Sequence, residues 1–241
     1  KQVFIRVAGS DDSVYLDLAN DKWEQVEITK KGWRIVSNRE SPLAFRRSKA
    51  MSTLPCPIQG GSLDELRDLL SLQQEDHLYT MIVGWLIGAM HPKGPYPILL
   101  LQGEQGSAKS MTAILLKDLL DPSGVKSKSE GVSERDLAIH ANANWIMNFD
   151  NVSGLNTNTS NALCRLATGG GFAVRQLYTN KGETLFYAKR PIMLNGIADI
   201  ASRQDLAERS LIVRLPPISK LRVRKTESGI WRTWNDSKPR I

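Results

Sequence analysis

The sequence is poor in residues and patterns that mark several large classes of protein. Its 241 residues contain only two cysteines, Cys56 and Cys164, and three histidines. Cysteines this far apart, with no paired histidine near them, do not form a zinc site, and we expect two buried thiols. The longest apolar stretch, residues 78–90, is shorter than the roughly 20 residues that a membrane helix needs. Because the start of the chain also has no secretory signal pattern, we expect a soluble protein.

Acidic side chains are outnumbered by basic ones. The chain has 32 lysines and arginines against 25 aspartates and glutamates, a formal net charge of +7. Within residues 220–241 there are seven basic side chains and two acidic ones. A basic balance indicates a polyanionic partner such as nucleic acid, although a solvated tail would have the same composition.

What the chain does have is a phosphate-binding loop pattern. Residues 98–110 read ILLLQGEQGSAKS, in which a short apolar run leads into a glycine loop that ends in Lys-Ser. The template is Gly, four residues, Gly, Lys and Ser or Thr, between a strand and a helix. The apolar run predicts the strand, and apolar residues at helical spacing over 111–120 predict the helix. The nucleotide-binding residues expected from this pattern are Gly103, Glu104, Gln105, Gly106, Ser107, Ala108, Lys109 and Ser110.

These residue types suit a nucleoside triphosphate with Mg²⁺. Backbone N–H groups at the start of the helix face phosphates, Lys109 reaches the β- and γ-phosphates, and the Ser110 hydroxyl ligates the metal. The pattern departs from the template at Ala108, where the second glycine is expected. The loss is slight if φ is negative at Ala108 and costly if φ is positive. An ordinary buried strand followed by a glycine-rich turn is the alternative.

Ahead of this loop, short strands precede a helical stretch. Residues 3–7, 14–18, 26–29 and 33–36 are typical of strands, separated by turn residues. Residues 37–61, with three prolines, predict an irregular linker. A helix is predicted from Ser62, with Ser62 and Glu65 at capping-box spacing, and a second over 76–90.

From residue 96 onward the pattern alternates strands and helices, which is typical of a parallel α/β sheet. Asp150 ends the apolar run 145–149, where a Walker-B aspartate would hold Mg²⁺. Asn195 ends the run 190–194 and could orient the attacking water, although Asn-Gly is also a common turn dipeptide.

A β-hairpin is predicted between those two strands, from residues 172–178 and 184–189. Its turn carries Lys181, and Arg175, Tyr178 and Tyr187 lie around it. Basic and aromatic side chains together can follow a sugar-phosphate backbone and stack on bases.

The ordered set resembles the superfamily 3 helicases, which are AAA+ replicative ATPases of viruses, phages and other mobile elements. It is especially similar to those joined to primase-polymerase modules. The resemblance covers roughly residues 63–217 and implies ATP and Mg²⁺ as cofactors. It implies catalytic roles for Lys109, Asp150, Asn195 as sensor 1, and Arg209 as an arginine finger, with Arg203 as second candidate. It also implies Ser110 and Asp150 as metal ligands. The resemblance further implies that Lys181 contacts single-stranded DNA, with Arg175 and Tyr178 beside it.

The same resemblance implies an AAA+ P-loop NTPase core of α/β class, with a small N-terminal β unit and a helical connector. We expect a β unit at 1–36, a linker at 37–61, a helical region at 62–95, the ATPase core at 96–218 and a truncated basic segment at 219–241. The expected partners are single-stranded DNA, further copies in a hexameric or similar ring, and a primase-polymerase module. The expected location is the cytoplasm of a bacterial host or phage-infected cell.

One further departure from the family pattern concerns hydrolysis. Asp150 is flanked by Asn148 and Asn151 rather than by a second acid, and Glu104 is the possible substitute base. The sequence predicts a DNA-translocating helicase ATPase. It leaves open an AAA+ initiator or loader that does not unwind DNA, a non-catalytic nucleotide-binding assembly module and, more distantly, a small-molecule kinase.

Overall fold

The N-terminal part of the chain folds into short strands that form two small sheets. The computed structural model describes residues 2–10, 12–128, 133–170, 172–175, 183–196, 203–218 and 226–241, with backbone alone over 172–175 and 183–186. The first strands are β1 (Val3–Phe4), β2 (Val7–Ser10), β3 (Ser13–Asp17), β4 (Gln25–Thr29), β5 (Gly32–Val36) and β6 (Ala44–Phe45). An antiparallel sheet has the order β2-β3-β4-β5, and β1 pairs with β6 in parallel.

The strand predicted over residues 3–7 is interrupted, and this part of the prediction is wrong. Arg6 has a φ of 56°, a left-handed conformation that breaks the extended backbone between β1 and β2. Its side chain is fully buried despite its charge. The cause is tertiary, since the guanidinium donates hydrogen bonds to groups that lie far along the chain, including Asp121 and the carbonyls of Ser52 and Pro122.

The segment predicted as an irregular linker, residues 37–61, contains the short strand β6, so the prediction is wrong there. Two helices follow it, α1 (Leu63–Leu69) and α2 (Asp76–Ala89). Ser62 caps α1 by accepting a hydrogen bond from the backbone N–H of Asp64. The predicted capping box is absent, because Glu65 instead forms an ion pair with Arg240 near the end of the chain. Cys164 is buried as expected, but Cys56 in the linker is exposed, so the expectation of two buried thiols is wrong for Cys56.

A four-stranded parallel sheet is the centre of the remaining fold. The later strands are β7 (Ile98–Gln102), β8 (Met147–Phe149), β9 (Phe172–Arg175), β10 (Glu183–Phe186), β11 (Ile192–Gly196) and β12 (Ser210–Arg214). The later helices are α3 (Lys109–Leu120), α4 (Glu134–Ala143), α5 (Thr157–Thr168), α6 (Gln204–Glu208) and α7 (Glu227–Ser237). The sheet has the order β12-β7-β11-β8, and β9 and β10 form a separate antiparallel pair, where a hairpin was predicted.

Both faces of this sheet are covered by helices, as expected of an α/β protein. Every residue of β7 is buried, and its side chains alternate between two cores. Leu99 and Leu101 pack into the core that includes residues of α2, α3 and α7, whereas Ile98 and Leu100 pack into the core that includes residues of α4 and α5. No helix within the described residues is long and apolar enough to cross a bilayer.

A buried charged cluster joins the N-terminal strands to this sheet. The Asp121 carboxylate lies 3.2 Å from Nε of Arg6 and 3.0 Å from Nζ of Lys117. It also accepts hydrogen bonds from the backbone N–H groups of Trp145 and Ile146, just before β8. Burial alone would raise the pKa of Asp121, but the charges of Lys117 and Arg6 outweigh burial and lower it. The carboxylate is therefore ionised, and besides its neighbour Lys117 it is tied to two distant parts of the chain, Arg6 and residues 145–146.

Candidate nucleotide-binding site

The predicted phosphate loop lies between β7 and α3, at the carboxyl edge of the parallel sheet. Gly103 has a φ of 155°, and a Cβ there would stand 2.6 Å from Ser107 Oγ and 2.7 Å from the Leu215 carbonyl oxygen. Gly106 has a φ of 86°. Glycine is required at 103 for both space and conformation, and at 106 for conformation. Glu104 and Gln105 are exposed at the tip of the loop.

Ala108 adopts the conformation that its side chain disfavours. It is the N-cap of α3, with φ 57° and ψ 24°. A left-handed conformation costs a residue with a Cβ roughly 1–2 kcal/mol relative to the right-handed one. The departure from the glycine template is therefore the costly kind, and the loop retains the left-handed turn regardless.

Lys109 is folded into the loop that precedes it. Its Nζ donates hydrogen bonds of 2.8 Å to the carbonyl oxygens of both Gly103 and Glu104. Burial lowers the pKa of Lys109, while the charge of Asp150 opposes this shift. A cation held at the start of a helix and surrounded by a glycine loop is suited to bind phosphate oxygens.

Ser110 and Asp150, which are 40 residues apart in sequence, meet at this edge of the sheet. The Ser110 hydroxyl donates a 2.8 Å hydrogen bond to Oδ1 of Asp150, directly after β8. Mg²⁺ prefers oxygen ligands and is usually bound through one or two protein groups plus phosphates and water. The described residues contain no cluster of three or more acidic, histidine or cysteine side chains that could hold a metal by itself. The hydroxyl–carboxylate pair therefore fits a metal that arrives with a phosphate group.

Asn195 is positioned beside this pair by the strand order. Because β11 lies between β7 and β8, the end of β11 faces both the loop and Asp150. Oδ1 of Asn195 accepts a hydrogen bond from the backbone N–H of Asn151 at 3.1 Å. Its Nδ2 is buried and has no hydrogen-bond partner among the described residues. The neighbouring Asn148 offers no substitute base, because a carboxamide does not take up a proton near neutral pH, and its buried amide donates to the Lys126 carbonyl.

A cleft of about 360 Å³ adjoins the loop. One wall is the turn between α1 and α2, residues 70–75, and the other is residues 215–218, which follow β12. Ser107 and Ala108 form part of its lining, so the cleft opens directly beside the phosphate loop. Its volume lies in the range of small-molecule sites. Sequence reasoning missed this cleft because its two walls belong to segments that lie far apart in the chain.

Arg209 lies at the opposite edge of the sheet from the loop. Its carbonyl accepts a hydrogen bond from the N–H of Ile98, the first residue of β7, whereas the loop follows the last. The length of β7 separates the two positions by roughly 15 Å. The guanidinium is partly exposed and forms an ion pair with Asp205. Arg203, the second candidate, donates to the hydroxyl of Thr157 at the start of α5.

The expected DNA-binding residues of the hairpin cannot be placed in the same way. Lys181 and Tyr178 lie outside the described residues, and Arg175 is described only by the backbone of β9. Arg214 was missed by sequence reasoning. It ends β12 beside the loop, and its Nε donates to Oε1 of Gln102 at 3.3 Å. The sequence did contain a signal for Arg214, because a charged residue at the end of an apolar strand was the pattern that indicated Asp150.

Comparison with known proteins identifies the family of this chain. Residues 63–241 match the family model of the actinomycete integrative conjugative element replication protein. The chain belongs to this family. An integrative conjugative element is a mobile element, so the family name agrees with the mobile-element part of the resemblance, whereas membership of superfamily 3 stays a prediction. A search of curated proteins found no match.

Two solved structures have a fold similar to that of this replication-protein family member. Two apo structures of the NrS-1 C-terminal region match with TM-scores of 0.53 and 0.51 at 11% and 12% identity. The matches cover 90% and 91% of this chain and 62% and 63% of the NrS-1 chains, so the chain spans less than two thirds of their length. A JCV helicase structure reaches a TM-score of 0.44 at 17% identity over 75% of this chain and 52% of its own, a likeness too weak to bear on the fold.

Proposed function

We propose that this replication protein binds and hydrolyses ATP with Mg²⁺ and uses the energy to move single-stranded DNA through a ring of its own copies. The observation that carries the proposal is the 2.8 Å hydrogen bond between Ser110 and Asp150 beside a phosphate loop that contains Lys109. A hydroxyl and a carboxylate from separate elements are the metal ligands that P-loop ATPases use. An ordinary turn after a buried strand gives no reason for this pairing.

In this proposal the loop N–H groups and Lys109 hold the triphosphate, while Ser110 and Asp150 hold the metal. Asn195 directs its Nδ2 donor toward the γ-phosphate or the attacking water, which accounts for a buried donor with no partner among the described residues. Mg²⁺ held by Ser110 and Asp150 would supply positive charge against the charge that develops on the phosphates.

The adenosine end of ATP would occupy the cleft beside Ser107. Its lining includes apolar side chains, among them Leu215 and Ile218. We expect Ile218→Ala to weaken ATP binding about five-fold, because apolar surface is lost from the wall. Inorganic tripolyphosphate has no base, so its affinity should be unchanged. Equal losses of affinity for ATP and for tripolyphosphate would place the adenine ring outside this cleft.

The test of the enzymatic part is an ATPase assay with a magnesium titration. Lys109→Ala should lose ATP binding, and Asp150→Asn should keep ATP binding but lose Mg²⁺-dependent hydrolysis. Asp12→Asn removes an exposed carboxylate from the turn between β2 and β3 and serves as the matched control. Undiminished hydrolysis in the Asp150 variant would exclude the proposed metal ligand.

The ring can be tested by mixing two inactive variants. Arg209 is too far from its own loop to reach it, so we propose that it serves the ATP of a neighbouring copy. Lys109→Ala subunits keep the arginine, and Arg209→Ala subunits keep the ATP site. Because the contacts in a ring are head-to-tail, on the order of a quarter of randomly mixed interfaces regain both groups. We expect ATPase activity to recover on mixing. If it does not recover, Arg209 has only the structural role of pairing with Asp205.

Translocation rests on the hairpin, and Lys181→Ala is its direct test. Single-stranded DNA should stimulate the ATPase of the wild-type oligomer, and the variant should lose this stimulation. Unwinding of a forked duplex by the full-length protein separates a helicase from an initiator or loader. Unchanged DNA binding and stimulation in the Lys181 variant would remove the pore assignment.

A second candidate is a nucleotide-binding assembly module without turnover. It is favoured by Asn148 and Asn151, which flank Asp150 where a second acid is expected. ATP binding with undetectable hydrolysis in the wild-type protein, with and without DNA, would favour this module over the motor.

A further inference from the structure

We infer that a basic cleft at the edge of the sheet opposite the phosphate loop binds single-stranded nucleic acid outside the predicted pore hairpin. The cleft has a volume of about 360 Å³ and lies between the first N-terminal strands and residues 187–190. Its polar lining includes Arg46, Lys93 and Lys189. We call these three cations, together with Tyr187, the basic cleft; they belong to three separated segments of the chain.

The charge of the basic cleft is not compensated locally. Arg46, Lys93 and Lys189 are all exposed, and the cleft lining contains no aspartate or glutamate. None of the three forms an ion pair within the part of the chain that the structure describes, and Arg46 donates to the neutral amide oxygen of Asn142. Exposed cations from several elements, without carboxylates among them, are the arrangement that attracts a phosphate backbone.

One wall of the basic cleft is held in place by a partly buried arginine. Arg190 donates from Nε to the carbonyl oxygens of Ala141 and Asn144, and its guanidinium lies 5.3 Å from the centroid of the Trp145 ring. Burial lowers the pKa of Arg190 to about 10, which still leaves it charged at neutral pH. The segment that presents Tyr187 and Lys189 is therefore anchored to α4 and to the start of β8, and a ligand meets a fixed surface.

Tyr187 decides between nucleic acid and an acidic peptide. The residue is 69% exposed, although large aromatic side chains usually gain stability from burial. It directly follows β10, one arm of the predicted hairpin. An exposed ring among cations provides a stacking platform for an unpaired base, whereas an acidic peptide has no need of one.

The test measures the binding of a labelled oligothymidylate by fluorescence anisotropy over a range of salt concentrations, without ATP. The test variant carries Arg46→Gln, Lys93→Gln and Lys189→Gln. We expect its affinity to fall at least ten-fold and its salt dependence to flatten by about 2 in the log–log slope, since each lost phosphate contact removes roughly 0.7. The charge-matched control carries three substitutions to Gln at exposed cations that do not line the cleft: Lys22, Lys31 and Arg39.

Stacking is tested separately at Tyr187. Tyr187→Leu should weaken binding about five-fold or more, while Tyr187→Phe should retain it, because the aromatic face is what contacts the base. Neither change disturbs a buried group, so both variants are expected to fold. Equal losses in the leucine and phenylalanine variants would exclude stacking.

The basic cleft would extend the path of single-stranded DNA in the proposed function, on which it rests. The experiments can nevertheless disprove the cleft without disproving the ATPase. Equal losses in the test and control triple variants, or wild-type protein that does not bind the oligonucleotide, would overturn the basic cleft. The ATPase assay of the Asp150 and Lys109 variants would be unaffected by either result. Binding of polyglutamate, but not oligothymidylate, that depends on the three cations would identify an acidic peptide and also overturn it.

Discussion

Replacing Ala108 with glycine is expected to stabilise the protein, although the same change normally weakens a helix. At φ 57° the left-handed conformation costs alanine roughly 1–2 kcal/mol, and it costs glycine nothing. Glycine gives back about 0.4–1 kcal/mol through the greater freedom of its unfolded chain. The difference is a net stabilisation of about 0.7 kcal/mol, visible as a higher midpoint in urea unfolding with an unchanged slope.

The control for this experiment is Ala207→Gly in α6. The φ of Ala207 is negative, so glycine there should lower the free energy of unfolding by close to 1 kcal/mol. The opposite signs of the two substitutions separate conformational strain from a general effect of glycine. If both variants lose stability equally, the left-handed turn at Ala108 does not persist in solution, and the strain argument is wrong.

Two further predictions concern buried charge. Burial, with smaller contributions from Lys128 and Lys117, lowers the pKa of His140 to about 4, so the imidazole is neutral in the folded protein at neutral pH. Stability is complete above the unfolded pKa of about 6.5 and falls by up to about 3 kcal/mol as the pH drops toward 4. His140→Phe should flatten this part of a thermal-melting pH profile, and an unchanged profile would contradict the assignment. Arg6→Leu should cost about 3 kcal/mol in urea unfolding because it removes one of the two cations that pair with the buried Asp121 carboxylate. Arg6→Lys should recover little, since one ammonium cannot replace the four directed N–H contacts of the guanidinium, and a loss below about 1 kcal/mol in Arg6→Leu would show that the cluster is weak.

The elements around the phosphate loop were predictable because local pattern and topology agree there. A short apolar run, a glycine loop and an amphipathic helix are each visible within about ten residues, and β7 and α3 occur where expected. The meeting of Ser110 and Asp150 follows from the parallel sheet, since the carboxyl ends of parallel strands share one edge. Asn195 follows from the same argument.

What could not be predicted depends on contacts between distant segments. The residues flanking Arg6 have strand propensity, and only the carbonyls and the carboxylate around its guanidinium explain the break in the strand. The sign of φ at Ala108 is a property of the loop as a whole and cannot be seen in the residue. The cleft beside Ser107 and the basic cleft each combine segments that no local pattern relates. Glu65 has capping-box spacing, yet Arg240 offers the stronger, charged partner.

The buried contact between Arg6 and Asp121 bears on where the chain can be divided. The match to the family model begins at residue 63, but a fragment cut at that point would lack Arg6, one of the two cations that pair with Asp121. The same carboxylate fixes the entry into β8, whose far end delivers Asp150 to the loop. Truncation would therefore loosen the strand that carries Asp150, although no residue of the phosphate loop would be removed. The residues matched by the family model, 63–241, therefore exclude a side chain, Arg6, that is packed into the core of the matched part.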